Sequence, residues 1–381
     1  MKIWVIGRSY PEKSNQMYGS FELEQAKLLA KFGHEVNYIV CVFHPFRKVK
    51  KWGFCDWVEN DVHIYTYSHP YFPDRLHVYM NSFQLKAWKK LLECVEENTG
   101  TPDVIHVHYP TLLTQPEAVL SYKAKGTKVV ATEHWTAVQT GQINSHELNQ
   151  LKLYVSESDQ FICVGKPLKD NIQKLTQTEQ ELCIVPNVVP NFFKCKEKDW
   201  GDFRFVAVGR LVPVKQFDRL IETFWKAYAG DKSVTLTIVG GGKEYRHLNE
   251  QIDKLGAAEQ IRLTGTLPRN QTAEIISNSD VLVCYSRLET FGVPVIEAWY
   301  CGIPVIASDA IGFAEYFDES MGFLVSKDDD EKLQKSLLRI RKEYGKYSRQ
   351  YIHSFAENNF SEAAVYKKLM DIYNENIYAA N

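Results

Sequence analysis

Short apolar runs rich in Val and Ile alternate with amphipathic helical stretches from one end of the chain to the other, and this alternation restricts the fold more than any other feature. In the first half the runs are KIWVIG, EVNYIVCV, DVIHVH, KVVATEH, QFICVG and LCIVPN, separated by helical segments such as Phe21 to Phe32, Leu85 to Glu97 and Ser145 to Ser156. The second half repeats the pattern with FRFVAVG, VTLTIVG, IRLTG, VLVCY and IPVIAS. The pattern predicts an α/β chain of two doubly wound, Rossmann-like units, each a parallel sheet with helices on both faces.

A chain of 381 residues exceeds what one core usually organises, which also favours two domains. The boundary is expected near residue 195, where KCKEKDWGD (Lys194 to Asp202) is charged, poor in apolar periodicity and followed by a fresh strand. Residues 1–195 then form the first domain and 196–360 the second. The segment 361–381 carries a last helix, roughly Ser361 to Tyr378, which follows a helical tail from Glu331 to Phe355. No strand comes after it, and it is expected to pack back on the first domain.

The balance of 45 Lys+Arg against 47 Asp+Glu gives no general attraction to nucleic acid. The N-terminal MKIWVIGRSYPEKS turns polar too soon for a signal-peptide core, and no later segment approaches the roughly 18 uncharged apolar residues of a membrane span, so a cytoplasmic protein is expected. The eight cysteines are scattered singly and contain no CxxC pair, which suggests reduced thiols and neither a zinc site nor a redox motif. One local charge feature stands out: Arg47, Lys48, Lys50 and Lys51 are interleaved with Phe46, Trp52 and Phe54. This composition suits either peripheral contact with an anionic membrane at its inner face or a solvated loop with core aromatics.

Common nucleotide motifs fail. The first strand runs into Gly7-Arg8-Ser9-Tyr10 instead of GxGxxG, and Gly240-Gly241-Gly242-Lys243 is followed by Glu244, so it is no Walker A loop. A different set assembles in the second half. Gly209 and Arg210 leave the strand FRFVAV at its carboxyl end and Lys215 follows five residues later, entering the next helix, so two cations stand where α/β sheets bind ligands and can clamp a diphosphate. Gly240 to Gly242 end VTLTIVG, where a missing Cβ lets a ligand approach the backbone. Glu289 precedes Thr290-Phe291-Gly292 and a helix beginning near Pro294, with Glu297 in its first turns. The two carboxylates suit paired sugar hydroxyls, although Glu297 alone also reads as an acid offsetting the helix dipole.

The order Gly209-Arg210, Lys215, Gly240-Gly241-Gly242, Glu289-Thr290-Phe291-Gly292, Glu297-Ala298 and Cys301-Gly302-Ile303-Pro304-Val305 closely resembles the group 1, or family four, retaining glycosyltransferases. The resemblance covers essentially the whole chain and is most specific from Glu289 to Glu297. It implies the GT-B architecture of two Rossmann-like domains facing a central cleft, and transfer of a sugar from a nucleoside diphosphate donor to a glycan or lipid-linked glycan hydroxyl, with retention of configuration and with neither metal nor cofactor. Under it, Arg210 and Lys215 bind the diphosphate, Glu297 the ribose, Glu289 and the Phe291-Gly292 backbone the transferred sugar, and the glycines from Gly240 lie near the base. Gly19 matches the family's glycine-rich loop and His134 its active-site histidine.

His106 and His108 share a strand face by their i, i+2 spacing and are read as cleft-lining or core residues, because a metal would need a third ligand. Tyr18-Gly19-Ser20, Pro186-Asn187-Val188 and Ile311-Gly312-Phe313 depart from the family's usual glycine patterns. An epimerase or hydrolase acting on nucleotide sugars, or a non-catalytic binding module, remain the alternatives. Acceptor choice is assigned to irregular loops at Phe43 to Asn60 and Thr136 to Asn144. The donor sugar, its base and the acceptor are left open.

Overall fold

The computed structural model describes residues 1–11, 19–45, 52–71, 77–113, 115–189, 193–197, 201–312 and 314–375. The stretch Arg47 to Lys51 therefore lies outside the described residues, as do Tyr18 and Phe313. The chain divides into two compact units, Met1–Val188 with Val365–Asn381, and Val189–Ala364. The division falls at Val188, ahead of the expected residue 195. The physical reason is local: Cys195 Sγ sits on the Arg349 carbonyl at 3.9 Å and Lys196 Nζ bonds Asn278, so this charged segment is already anchored in the second unit.

The first unit contains strands β1 (Lys2–Ile6), β2 (Glu35–Pro45), β3 (Gly53–Glu59), β4 (Val62–Tyr71), β5 (Val104–His108), β6 (Lys128–Glu133), β7 (Gln160–Cys163) and β8 (Cys183–Ile184). Their order is β3-β4-β2-β1-β5-β6-β7-β8, parallel except for the β3-β4 hairpin. That hairpin was not foreseen, since Phe43 to Asn60 was expected to be irregular. It turns on Asn60 and Asp61, both at positive φ (50° and 61°), the geometry that two-residue hairpin loops require. Thr136–Thr140, in the other expected loop, forms a short helix. In the core, Ile3, Val5 and Ile64 of the sheet pack with Leu23 and Leu29, and Val365, Leu369, Ile372 and Tyr373 of the C-terminal helix Glu362–Asn374 belong to the same cluster.

The second unit contains β9 (Phe203–Val208), β10 (Val234–Val239), β11 (Ile261–Leu263), β12 (Val281–Cys284), β13 (Val305–Ser308) and β14 (Gly322–Val325), all parallel, in the order β11-β10-β9-β12-β13-β14. Strand order reverses between β9 and β12, which pair directly. In the first unit the corresponding reversal lies between β1 and β5. At such a switch point the following connections leave in opposite directions, and the carboxyl ends open a crevice between them. The expected tail from Glu331 to Phe355 is two helices, Asp330–Lys342 and Arg349–Phe360, separated by a 3-10 turn at Tyr344–Lys346.

Candidate active site

In the second unit the two loops at the switch point meet. The Arg287 backbone N–H donates to the Val214 carbonyl at 2.9 Å, tying the exit of β12 to the exit of β9. This tie brings Lys215 to Glu289, and their side chains form a close ion pair. Lys215 does not enter a helix as expected. It ends a 3-10 turn, Pro213–Lys215, because Gln216 takes a left-handed backbone (φ 52°) before the helix Phe217–Tyr228 begins. That conformation costs a non-glycine residue about 1–2 kcal/mol. Gln216 is buried, and its amide donates to Asp328 at 2.6 Å, which offsets part of this cost. Asp328 also binds Arg219 and accepts from Arg287 at 2.8 Å. The turn under Lys215 is thus fixed from both neighbouring loops.

The glycine loop after β10 is shaped by the same crowding. A Cβ on Gly240 would fall well inside contact distance of the Gly209 carbonyl, and one on Gly242 would strike the Leu211 carbonyl. The Leu211 N–H donates to the Gly241 carbonyl at 2.9 Å. The missing side chains therefore make room for the loop carrying Arg210. Gly241 faces Thr266, and Gly209 has ordinary room beside Phe217. Arg210 itself is exposed, and among the described residues no carboxylate pairs with its guanidinium.

Thr290-Phe291-Gly292 forms the turn into the helix Val293–Tyr300. Gly292 has φ 90°, Pro294 sits in the first turn, and the buried Phe291 ring packs edge-on to Phe360, 6.4 Å between centroids. The loop after β13 presses against this turn: a Cβ on Gly312 would collide with the Thr290 carbonyl, and the Glu289 N–H donates to Ala310 at 3.2 Å. Glu297 is only 5% exposed and accepts from Arg269 Nη2 at 3.2 Å. Burial pushes its carboxyl pKa up, and Arg269 pulls it back down. Arg269, at the start of the helix Arg269–Ser277, had no signal in the sequence; its partner lies across the fold.

In the first unit a polar chain runs beneath the carboxyl ends of β5 and β6. His106 and His108 lie parallel with centroids 4.5 Å apart, as their spacing predicts, and both are buried. His108 Nδ1 lies 2.9 Å from His134 Nε2. Glu133, fully enclosed, accepts from the His134 and Trp135 N–H groups at 2.8 and 2.9 Å and from the Thr111 hydroxyl, so it fixes the backbone at His134. On the other side His134 stacks on Tyr109, which stacks under Arg8 at 3.4 Å. Arg8 bonds the buried Glu22 at 2.7 Å. Desolvation holds all three histidines neutral, His106 down to about 3, and Arg8 acts in the same direction on His108 and His134. Gly19 caps the helix Ser20–Lys31 at φ 85°, hard against the Ser9 carbonyl.

Comparison with known proteins gives this geometry a context. Residues 22–190 match the family described as Glycosyltransferase Family 4, and residues 189–358 match the one described as Glycosyl transferases group 1. The chain belongs to the group 1 glycosyltransferases. This glycosyltransferase is 23% identical over 360 residues to the N-acetyl-alpha-D-glucosaminyl L-malate synthase of Bacillus anthracis, covering 90% of the chain and 88% of that protein. It is 23% identical over 229 residues to the phosphatidylinositol N-acetylglucosaminyltransferase GPI3 subunit of Saccharomyces cerevisiae, where the match spans 57% of the chain and 50% of that protein. The fold is GT-B, shared with Anabaena HepE in complex with UDP and glucose (TM-score 0.72, 16% identity, 97% and 98% of the two chains). The sucrose-phosphate synthase of Thermosynechococcus elongatus shares it too (TM-score 0.75, 17% identity, 100% of both chains).

The residues singled out in this glycosyltransferase thus fall into separate groups. Lys215 and Glu289 are brought together; Gly209, Gly240, Gly241, Thr290, Phe291 and Gly292 shape the loops around them; Glu297 is engaged by Arg269. His134 and Gly19 belong to the first unit. Among the described residues no helix is long and apolar enough to cross a membrane, and no group of three His, Cys, Asp or Glu side chains is placed to hold a metal.

Proposed function

We propose that this glycosyltransferase transfers a sugar from a nucleoside diphosphate donor to a hydroxyl acceptor with retention of configuration and without a metal, in the synthesis of a cell-envelope polysaccharide or glycolipid. The observation that carries this is the Lys215–Glu289 pair at the switch point, a cation and a carboxylate presented side by side at the carboxyl ends of β9 and β12. Lys215, with the exposed Arg210, stabilises the negative charge that grows on the diphosphate as the glycosidic bond breaks. Glu289 and the Phe291-Gly292 backbone hold the hydroxyls of the transferred sugar, Glu297 holds the ribose, and His134 donates to the sugar. Burial lowers the basicity of all three first-unit histidines, so the leaving phosphate is the base that takes the acceptor's proton.

UDP-N-acetylglucosamine is the first donor to try, since two relatives carry N-acetylglucosaminyl transfer in their names and the HepE structures hold UDP. Thermal stabilisation across UDP, GDP, ADP and their sugars tests the donor class: selective stabilisation by one nucleotide and its sugars supports the reading, and none by any of them overturns it. A time course of product by mass spectrometry separates transfer from hydrolysis, which releases free sugar without an acceptor. Peripheral contact with anionic lipid through Arg47, Lys48, Lys50 and Lys51 belongs to the same reading, and co-sedimentation with phosphatidylserine vesicles that charge reversal of these four residues does not weaken would remove it.

A further inference from the structure

Among the described residues of the second unit, two non-glycine residues have a left-handed backbone, Gln216 at φ 52° and Asp328 at φ 65°. They are bonded to each other: the Gln216 amide donates to Asp328 Oδ1 at 2.6 Å. Such conformations cost energy, so a pair of them joined by one hydrogen bond persists only where the surrounding contacts impose it. Asp328 lies in the loop between β14 and the helix Asp330–Lys342. Its Oδ1 also accepts from Arg287 Nε at 2.8 Å and from the Arg219 guanidinium, whose second nitrogen holds the Asp328 carbonyl at 2.7 Å. Arg219 is fixed in turn by Asp330 at 2.9 Å, which accepts from the Tyr285 hydroxyl at 3.0 Å. A lone ion pair on an exposed surface is worth little. These partners, however, bracket the site: Gln216 directly follows Lys215, and Arg287 precedes Glu289 by two residues.

We infer that Asp328 is a positioning residue for the Lys215–Glu289 pair: from the loop after β14 it holds the exits of β9 and β12 at one separation, and so sets where the lysine ammonium stands. The backbone bond from Arg287 to Val214 joins the same two loops one residue before Lys215, and Asp328 braces it through both side chains. The catalytic consequence rests on the proposed contact of Lys215 with the diphosphate; the clamp itself does not.

Asp328→Gly separates side chain from backbone, because glycine suits φ 65° and removes the carboxylate. Its fold is expected to survive, as thermal unfolding reports, while kcat falls about tenfold with the donor KM kept within about threefold. Asp328→Asn tolerates the same backbone and keeps an acceptor oxygen, so it should hold kcat within about threefold of the parent. With Lys215 already Ala, Asp328→Gly should cost less than about twofold more. Independently of activity, hydrogen exchange of the full chain followed by NMR should show the Arg287 amide exchanging about tenfold faster in Asp328→Gly and near the parent rate in Asp328→Asn. Gln216→Gly cuts the clamp from its other end and should reproduce both changes. An unchanged Arg287 amide, parent-rate transfer by Asp328→Gly, or a tenfold loss that persists in the Lys215→Ala background would overturn the inference. If the amide responds as expected but the parent chain transfers no sugar from any nucleoside diphosphate donor, the clamp stands and the proposed function falls.

Discussion

Lys215 Nζ is bonded to the Glu289 carboxylate, although 74 residues separate them, because the loops after β9 and β12 are tied by the Arg287 to Val214 backbone bond. In the free protein the lysine's charge is therefore already compensated, and a diphosphate must compete for it or share it.

Lys215→Ala removes a charge-assisted contact of about 1.5–3 kcal/mol, so nucleoside diphosphate affinity should fall roughly 10- to 100-fold, with transfer falling further. Glu289→Gln frees the lysine instead. Calorimetric titration with the nucleotide chosen by the thermal screen should show binding kept or strengthened in Glu289→Gln while transfer is lost. Weaker nucleotide binding in Glu289→Gln would contradict the competition.

Gly312→Ala should act on the same site from behind. Its Cβ meets the Thr290 carbonyl and must displace the turn that carries Glu289 and Gly292, so transfer should drop at least tenfold. Gly230→Ala is the control: its φ is positive (83°), but nothing lies within 4 Å of the added carbon, so only about 1 kcal/mol of stability should be lost and turnover kept.

Arg269→Ala leaves the Glu297 carboxylate buried without its partner, a loss of about 3–5 kcal/mol when the group is ionised. The folded pKa of Glu297 is raised above its unfolded value of 4.5, so stability associated with it is present at low pH and falls as pH rises through the folded pKa. Urea unfolding should therefore show a larger deficit for Arg269→Ala at pH 7 than at pH 5; equal deficits would contradict the pairing.

The three neutral histidines act in the opposite sense. Each has a folded pKa below the unfolded 6.5, so its contribution is intact above about pH 6.5 and is lost as pH falls, for His106 until about pH 3. Each ring removes up to about 1.4 kcal/mol per pH unit in that window. Glu133 and Glu297, raised by burial, change stability the other way above pH 4.5, so the informative quantity is the difference between variant and parent. His106→Phe should flatten the decline between pH 6.5 and 5; an unchanged slope would show that the ring is protonated in the fold.

Much of this architecture was legible because period and composition report burial. The parallel strands at the centre of both sheets are nearly continuous apolar runs, and the segment from Glu289 to Glu297 reads directly as strand exit, turn and helix. The hairpin β3-β4 was missed because FCDWVE and HIYTYS mix polar and aromatic residues beside a basic stretch; the Asn60-Asp61 pair was the available signal. Lys215 was placed in a helix because the left-handed Gln216 leaves no trace in residue type. Arg269 and Arg8 were missed because each acts through a carboxylate on another element. The His108 to His134 contact was recoverable from register, since His108 pairs with Thr132 and His134 lies two residues beyond.

Retaining transfer from a nucleoside diphosphate sugar is read most directly in the anomeric configuration of the product. With a UDP-α-sugar, an acceptor that supports turnover and EDTA present, the one-bond C–H coupling of the new anomeric centre should report an α linkage, formed at the full parent rate and at least 100-fold more slowly by Lys215→Ala. A β linkage, release of free sugar alone, or parent-rate transfer by Lys215→Ala would contradict it.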